Sequence, residues 1–165
     1  MSILEILYYP DYRLRKIADP VTLISPDIAK VISDMFDTMY HKKGIGLAAT
    51  QINIHKQIIT IDLYNNKKER LVFINPIIKK RTGTISIIES CLSIPQVHES
   101  VTRSKKIIVQ SLDQYGNEFE IEASDLLAVC IQHEVDHLFG KLFIDYLPVS
   151  KINDINKNID TTLKN

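Results

Sequence analysis

The stretch Leu126-Leu127-Ala128-Val129-Cys130-Ile131-Gln132-His133-Glu134-Val135-Asp136-His137 constrains the fold more than any other, because a helix apolar on every side runs straight into four ionisable groups. Such a helix belongs in a core, where uncompensated charge is expensive. The spacing predicts a helix from Ser124 or Asp125 to Phe139, with Gly140 as its stop. Its ionisable end must be paired, hydrogen-bonded or tied to a metal. His133 and His137 are four apart on one helical face, so both imidazoles can meet one ion. Glu134 stands beside them, able to face a metal-bound water without being a ligand. H-E-x-x-H arises by chance in on the order of one chain in a hundred of this size. Core-edge salt bridges are therefore a competing reading.

What surrounds that helix reads as sheet. From Gln57 to about Glu122 the sequence runs in short β-branched stretches, QIITIDL, LVFINPIIKKR, TGTISII, KKIIVQSLD and NEFEIEA, separated by turn residues. Asn65-Asn66 and Gly116-Asn117 join neighbouring runs with too few residues for crossover helices, so the pairing is expected to be largely antiparallel. Ser25-Pro26-Asp27 opens an N-terminal helix with a cap, a first-turn proline and an early acid. Ile28, Val31, Ile32, Met35, Phe36 and Met39 give that helix one buried stripe, and Gly44 is read as its end. Ile152, Ile155, Ile159 and Leu163 share one face of a short terminal helix or frayed tail over 150–165. The fold class expected is α+β: largely antiparallel β-sheets packed around a central buried helix carrying HExxH, with an N-terminal helix and a short C-terminal helix. Within 165 residues there is no repeat, low-complexity tract or linker, so the chain is read as one domain over 1–165.

Charge narrows the partners. Twenty basic residues balance twenty acidic ones, which removes the electrostatic case for direct nucleic-acid or membrane-surface binding and favours small or peptide ligands. The opening MSILEILYYPDYRLRK lacks a basic start followed by an apolar run, and no stretch is long and apolar enough to cross a bilayer, so a cytoplasmic protein is expected. In that compartment Cys91 and Cys130 are not expected to form a disulfide; each is either a small buried hydrophobe or a working thiolate.

A catalytic metal site of this kind needs a third protein ligand and an open position for water. Cys91, Cys130, His98, His41, His55 and the carboxylates are the candidates. Cys130 lies on the ligand face, but its axial distance from His137 is about 10 Å, which suits a pocket wall better. Cys91 ends a strand-like run ahead of a proline-containing loop, and a sheet edge facing the helix can deliver its sulfur. Spacing ranks it ahead of the histidines without excluding them.

Three segments together resemble the bacterial peptide deformylases. Gly44-Ile45-Gly46-Leu47-Ala48-Ala49-Thr50-Gln51 is similar to the family's G-x-G-L-A-A-x-Q, Glu89-Ser90-Cys91-Leu92-Ser93 to E-G-C-L-S, and Gln132-His133-Glu134-Val135-Asp136-His137-Leu138 to Q-H-E-x-D-H-L. Their order and separation agree with the family, over roughly residues 1 to 150. The resemblance implies a hydrolase of protein biosynthesis that processes the N-terminal methionine. It would remove the formyl group of N-formyl-methionyl nascent peptides as formate. It also implies one divalent metal ion per chain held by Cys91, His133 and His137, with Fe(II) the usual native metal and Zn, Ni or Co able to substitute. Glu134 would be the general acid/base, and the Gln51 side-chain amide and the Leu92 backbone N–H would stabilise the oxyanion. Transient ribosome contact is a further family-level implication. One residue departs from the pattern: Ser90 stands where the family usually has glycine, which puts the local backbone geometry in question.

On this reading Gly44 and Gly46 let a peptide pass close by, pairing as an added strand. Alone, they would read as a helix stop and a helix start. Ile45, Ile87, Leu126, Val129 and Cys130 are candidates for the apolar slot that takes methionine, and each is equally at home as core. Glu89 and Arg103 are candidates for a buried pair supporting the ligands, with Asp136 in a similar role. Two rivals remain. A zinc peptidase shares H-E-x-x-H but places its third ligand downstream, where this chain has no histidine. A structural metal module would have a closed four-ligand site.

Overall fold

The computed structural model describes residues 2–64 and 67–162. Three helices, α1 (Pro26–His41), α2 (Asp125–Leu138) and α3 (Val149–Thr162), pack with seven strands: β1 (Gly46–Ala48), β2 (Ile58–Ile61), β3 (Leu71–Thr82), β4 (Ile85–Cys91), β5 (Ile94–Arg103), β6 (Lys106–Leu112) and β7 (Glu118–Ser124). Five of them form a sheet in the order β1-β2-β3-β6-β7, while β4 and β5 pair by themselves, and every pairing is antiparallel. The α+β class read from the sequence is the fold observed. The Asn65-Asn66 turn and Leu163 lie outside the described residues.

The five-stranded sheet is covered on both faces. Ile58 and Ile74 join the α1 stripe of Ile32, Met35, Phe36 and Met39. Ile59, Ile61, Phe73, Ile107 and Val109 face Ala128, Ile131 and Val135 of α2. Burial on both sides explains why every residue of β2, Thr60 included, is buried rather than alternate ones. A third cluster joins the β4–β5 hairpin to Phe143, Ile144 and Ile155. α2 therefore sits between two sheets, as its composition requires. Its one clearly exposed apolar residue is Leu126, whose side of the helix faces a cleft described below.

Differences from the sequence reading have local causes. α1 starts at the expected cap, where the Ser25 hydroxyl accepts from the Ile28 N–H. It ends at His41, a little before the Gly44 read as its end, and Lys43, with φ 57°, makes a left-handed turn there. Gly44 donates its N–H to the Met39 carbonyl. Ser124 precedes α2 without a side-chain cap bond. The run read as one strand over 82–88 is broken at Gly83, which separates β3 from β4. The segment after Cys91 is a strand rather than a loop. Glu89 pairs with Glu99 but Cys91 pairs with Ile94, so β5 bulges by several residues around Pro95 and Gln96. A two-stranded sheet has only edges, so a proline there removes no required hydrogen bond.

Candidate functional site

α2 delivers His133, Glu134 and His137 from one turn and a half, and the end of β4 brings Cys91 to them. The candidate ligand atoms of Cys91, His133 and His137 lie within 4.8 Å of one another, all buried. Cys91 Sγ is 3.3 Å from His137 Nε2. A tetrahedral ion with metal–sulfur and metal–nitrogen bonds of ordinary length separates such atoms by about 3.5 Å. The triad fits a metal ion. His41, His55, His98 and Cys130 are outside it among the described residues.

The ring of His133 is held from behind. Its Nδ1 lies 2.7 Å from Glu89 Oε2, which leaves Nε2 for the triad, and the ring stacks 5.9 Å from Phe143. Glu89 also accepts from Arg103 through Nε and through Nη2, the latter at 3.0 Å. Arg103 Nη1 reaches Asp136 Oδ2 at 2.7 Å, the Tyr146 hydroxyl donates to the same oxygen at 2.8 Å, and the Tyr146 ring covers the guanidinium. The pair expected between Glu89 and Arg103 is present, and Asp136 extends it into one network. Burial acts to raise the Glu89 pKa, but hydrogen bonds from His133 and Arg103 outweigh it and hold it below the ordinary value. Burial, reinforced by charge on His133 and Arg103, pushes His137 well below the usual histidine value, toward the neutral form a metal ligand requires.

Glu134 is in a different position. Burial lifts its pKa to about 7, and its Oε2 has no hydrogen-bond partner among the described residues. Its other oxygen lies against Gly46, where a Cβ would come within 2.5 Å. An unpartnered buried carboxylate beside an open triad can take up and return a proton near neutral pH.

Gln51 arrives on the 3-10 turn Ala49–Ile52 that follows β1. Its Oε1 accepts from the Ala48 N–H at 2.8 Å, which aims Nε2 toward Ser93 Oγ at 3.1 Å and Cys91 Sγ at 3.5 Å. Leu92, the turn residue between β4 and β5, lines the same cleft of ≈ 360 Å³ as Gly44, Gly46, Gln51, Cys91, His133 and Glu134. Ile45, Ile87, Leu126, Val129 and Cys130 line a second, mostly apolar cleft of ≈ 120 Å³ that also touches His133 and Glu134. The five residues weighed as slot or core thus all border one opening beside the triad. Burial and the neighbouring carboxylates push the Cys130 thiol pKa well up, so it stays a neutral wall. Ser90 is exposed at the junction of the two clefts and is not among the residues with positive φ, so serine is unstrained where a glycine was expected.

Several supporting contacts escaped the sequence reading. Ser93 accepts from Gln51, Tyr146 holds Asp136, and Gln132 is fixed by Arg81 and the Ser104 backbone. Thr50 donates to the His137 carbonyl at 3.2 Å. Gln132 and Ser93 stood inside the quoted motifs, but nothing in the sequence gave their partners.

A family model described as polypeptide deformylase matches residues 3–153. The peptide deformylase of Blochmanniella pennsylvanica is 72% identical over 159 residues, 96% of this chain and 92% of that protein. Among solved structures, a peptide deformylase from Legionella pneumophila superposes with a TM-score of 0.95 at 44% identity, covering 99% of this chain and 96% of that one. One from Ehrlichia chaffeensis, in complex with actinonin, superposes with a TM-score of 0.93 at 35% identity, covering 98% of each.

Proposed function

This chain belongs to the polypeptide deformylase family, and from that premise we propose that Cys91, His133 and His137 hold one divalent metal ion, natively Fe(II), which Zn, Ni or Co can replace. The family function is metal-dependent removal of the formyl group from N-terminal formyl-methionine, and the chain is a hydrolase of that kind.

When bound, the cation supplies Lewis acidity, lowering the pKa of water and polarising the formyl carbonyl. The protein's own groups do the rest. Glu134 takes the proton of the attacking water on its carboxylate and returns it to the leaving amine, releasing formate and a free N-terminus. The Gln51 amide and the Leu92 backbone N–H meet the negative charge that develops on the carbonyl oxygen. Ile45, Ile87, Leu126, Val129 and Cys130 take the methionine side chain out of water, and Gly44 and Gly46 offer backbone for the peptide to pair with. Glu89 and Arg103 keep His133 in the tautomer and orientation a ligand needs.

The observation that carries this reading is the convergence of the three ligand atoms within 4.8 Å beside the unpartnered oxygen of Glu134. A histidine, a histidine and a thiol with an adjacent buried acid suit an open catalytic site better than a closed structural one. The same proposal includes one catalytic domain over 1–165, working in the cytoplasm on nascent chains with transient ribosome contact and no direct binding of nucleic acid or membrane. Among the described residues no helix is long and apolar enough to cross a membrane.

The test is to purify the protein without oxygen, measure bound metal, and assay formate release from a formyl-methionyl peptide. Release that is lost on chelation and restored by Fe(II) is expected, and Cys91→Ala should lose both metal and activity. A metal-loaded protein without release, or a Cys91→Ala protein with unchanged metal affinity, overturns the assignment.

A further inference from the structure

His98 is outside the metal triad, yet it borders the same cleft as Lys43. Lys43 leaves the end of α1 in a left-handed turn that leads directly into Gly44-Ile45-Gly46. His98 lies on the bulged part of β5. Both side chains are exposed, and neither makes an ion pair among the described residues.

Nearby acids are committed elsewhere. Glu99, next to His98, pairs with Lys151. Glu89 is buried against Arg103, and Glu134 forms the floor beside the triad. Apart from the buried Glu134, no residue lining the cleft carries a carboxylate, and its exposed mouth presents the Lys43 ammonium group and the His98 imidazole.

The peptide's path brings its next residues to that mouth, given the deformylase reading on which this inference rests. With the formyl group at the triad and the methionine side chain in the Ile45–Leu126 cleft, the chain must run along β1, the terminal strand of its sheet. In one direction lies Leu47, fully buried; in the other the cleft opens past Gly44 to Lys43. A strand advances about 3.3 Å per residue. Lys43, two residues before Ile45, thus falls beside the residue one or two positions after the methionine.

We propose that Lys43 and His98 bias this enzyme toward formylated peptides with aspartate or glutamate one or two residues after formyl-methionine. The carboxylate accepts hydrogen bonds from the Lys43 ammonium and a His98 ring N–H. The contact is solvated, so each is worth about two- to fivefold, expressed in KM because the groups are remote from the reacting atoms.

The test measures kcat and KM by formate release from formyl-Met-Ala-Ser, formyl-Met-Asp-Ser, formyl-Met-Lys-Ser, formyl-Met-Ala-Asp and formyl-Met-Ala-Lys. The proteins compared are the metal-loaded wild type, Lys43→Glu and His98→Gln, at low and high salt. Preferences are taken as ratios on one protein, so changes in basal turnover cancel. The wild type is expected to favour one of the aspartate peptides over its lysine counterpart, through KM and less at high salt. Lys43→Glu should reverse the order, and His98→Gln should reduce it. Equal KM for the acidic and basic peptides on the wild type, or a preference that survives Lys43→Glu, overturns the proposal. Absence of formate release from the neutral peptide is instead a failure of the deformylase reading. Binding of the unformylated Met-Asp-Ser and Met-Lys-Ser peptides, measured by calorimetry, still decides the charge preference in that case.

Discussion

Replacing Arg103 with alanine tests whether the network behind His133 holds the site together. The guanidinium is buried between Glu89 and Asp136 and covered by Tyr146. Without it, Glu89 keeps only His133 as a partner, and Asp136 keeps only the Tyr146 hydroxyl among the contacts described. Removing one member of a buried pair typically costs about 3–5 kcal/mol, against about 0–1 kcal/mol for an exposed pair. In a domain of this size each kcal/mol moves Tm by about 2–4 °C, so the metal-free variant should melt about 6–20 °C lower. A second loss appears only with metal. A loosened Glu89 no longer orients His133, and losing such support lowers metal affinity about 10- to 100-fold. At saturating metal that adds about 1.4–2.7 kcal/mol through linkage. Urea unfolding of wild type and variant, with and without metal, separates the two losses. Arg103→Lys should fall between them, because it keeps the charge but not the fork. An equal loss with and without metal would refute the link to His133, and a total loss below about 1 kcal/mol would refute the buried-pair energetics.

Three further outcomes follow from the same geometry. Glu134→Gln should keep its metal and lose at least about 100-fold in kcat, the usual scale of general acid–base catalysis; metal analysis with formate release checks both halves. Gly46→Ala puts a methyl group 2.5 Å from Glu134 Oε1, and a displacement of that carboxylate by about 1 Å should cost on the order of 100-fold in kcat. The melting temperature shows whether the fold survives that change. Ser90→Gly, at an exposed site of ordinary φ, should leave kcat/KM within about twofold and lower stability by no more than about 1 kcal/mol, as read by formate release and urea unfolding.

The readability of each element in the sequence depended on where its stabilising partners lie. α2 was legible because its burial and its chemistry are both local: an apolar turn followed by a His-Glu-x-x-His spacing. β2, β3, β6 and β7 announced themselves through β-branched runs. β1 did not, because Gly46, Leu47 and Ala48 have little strand preference of their own and are extended by pairing with Ile59, Thr60 and Ile61. β5 was hidden by Pro95 and by polar residues that a two-sided edge tolerates. The same holds for the site. His133, Glu134 and His137 share one helix, whereas Cys91 reaches them only through the packing of β4 on α2, which spacing alone ranked without deciding. Tyr146 carried no sequence signal, and Ser93 stood only as the last residue of a motif with no role assigned, since their partners are fixed by the fold.

The central helix also solves an electrostatic problem that its composition sets. Glu89 and Asp136 bracket the buried Arg103 guanidinium, Glu134 is buried on the same helix as Asp136, and Cys91 would add a thiolate if it holds the proposed metal. Arg103 satisfies Glu89 and Asp136, so those two acids would not compete for an ion held by the proposed ligands. Glu134 is left outside the arrangement, pushed to about 7 by burial and bonded to nothing through Oε2. Without a further positive charge, the thiolate and Glu134 would be two uncompensated anions in a core, a cost that proteins avoid by pairing or protonation. A divalent cation in the proposed triad meets both, directly at the sulfur and at short range for the carboxylate. On the proposed reading, the charge that would stabilise the buried helix is also the charge the reaction would use, with Glu134 as the acid left to exchange a proton.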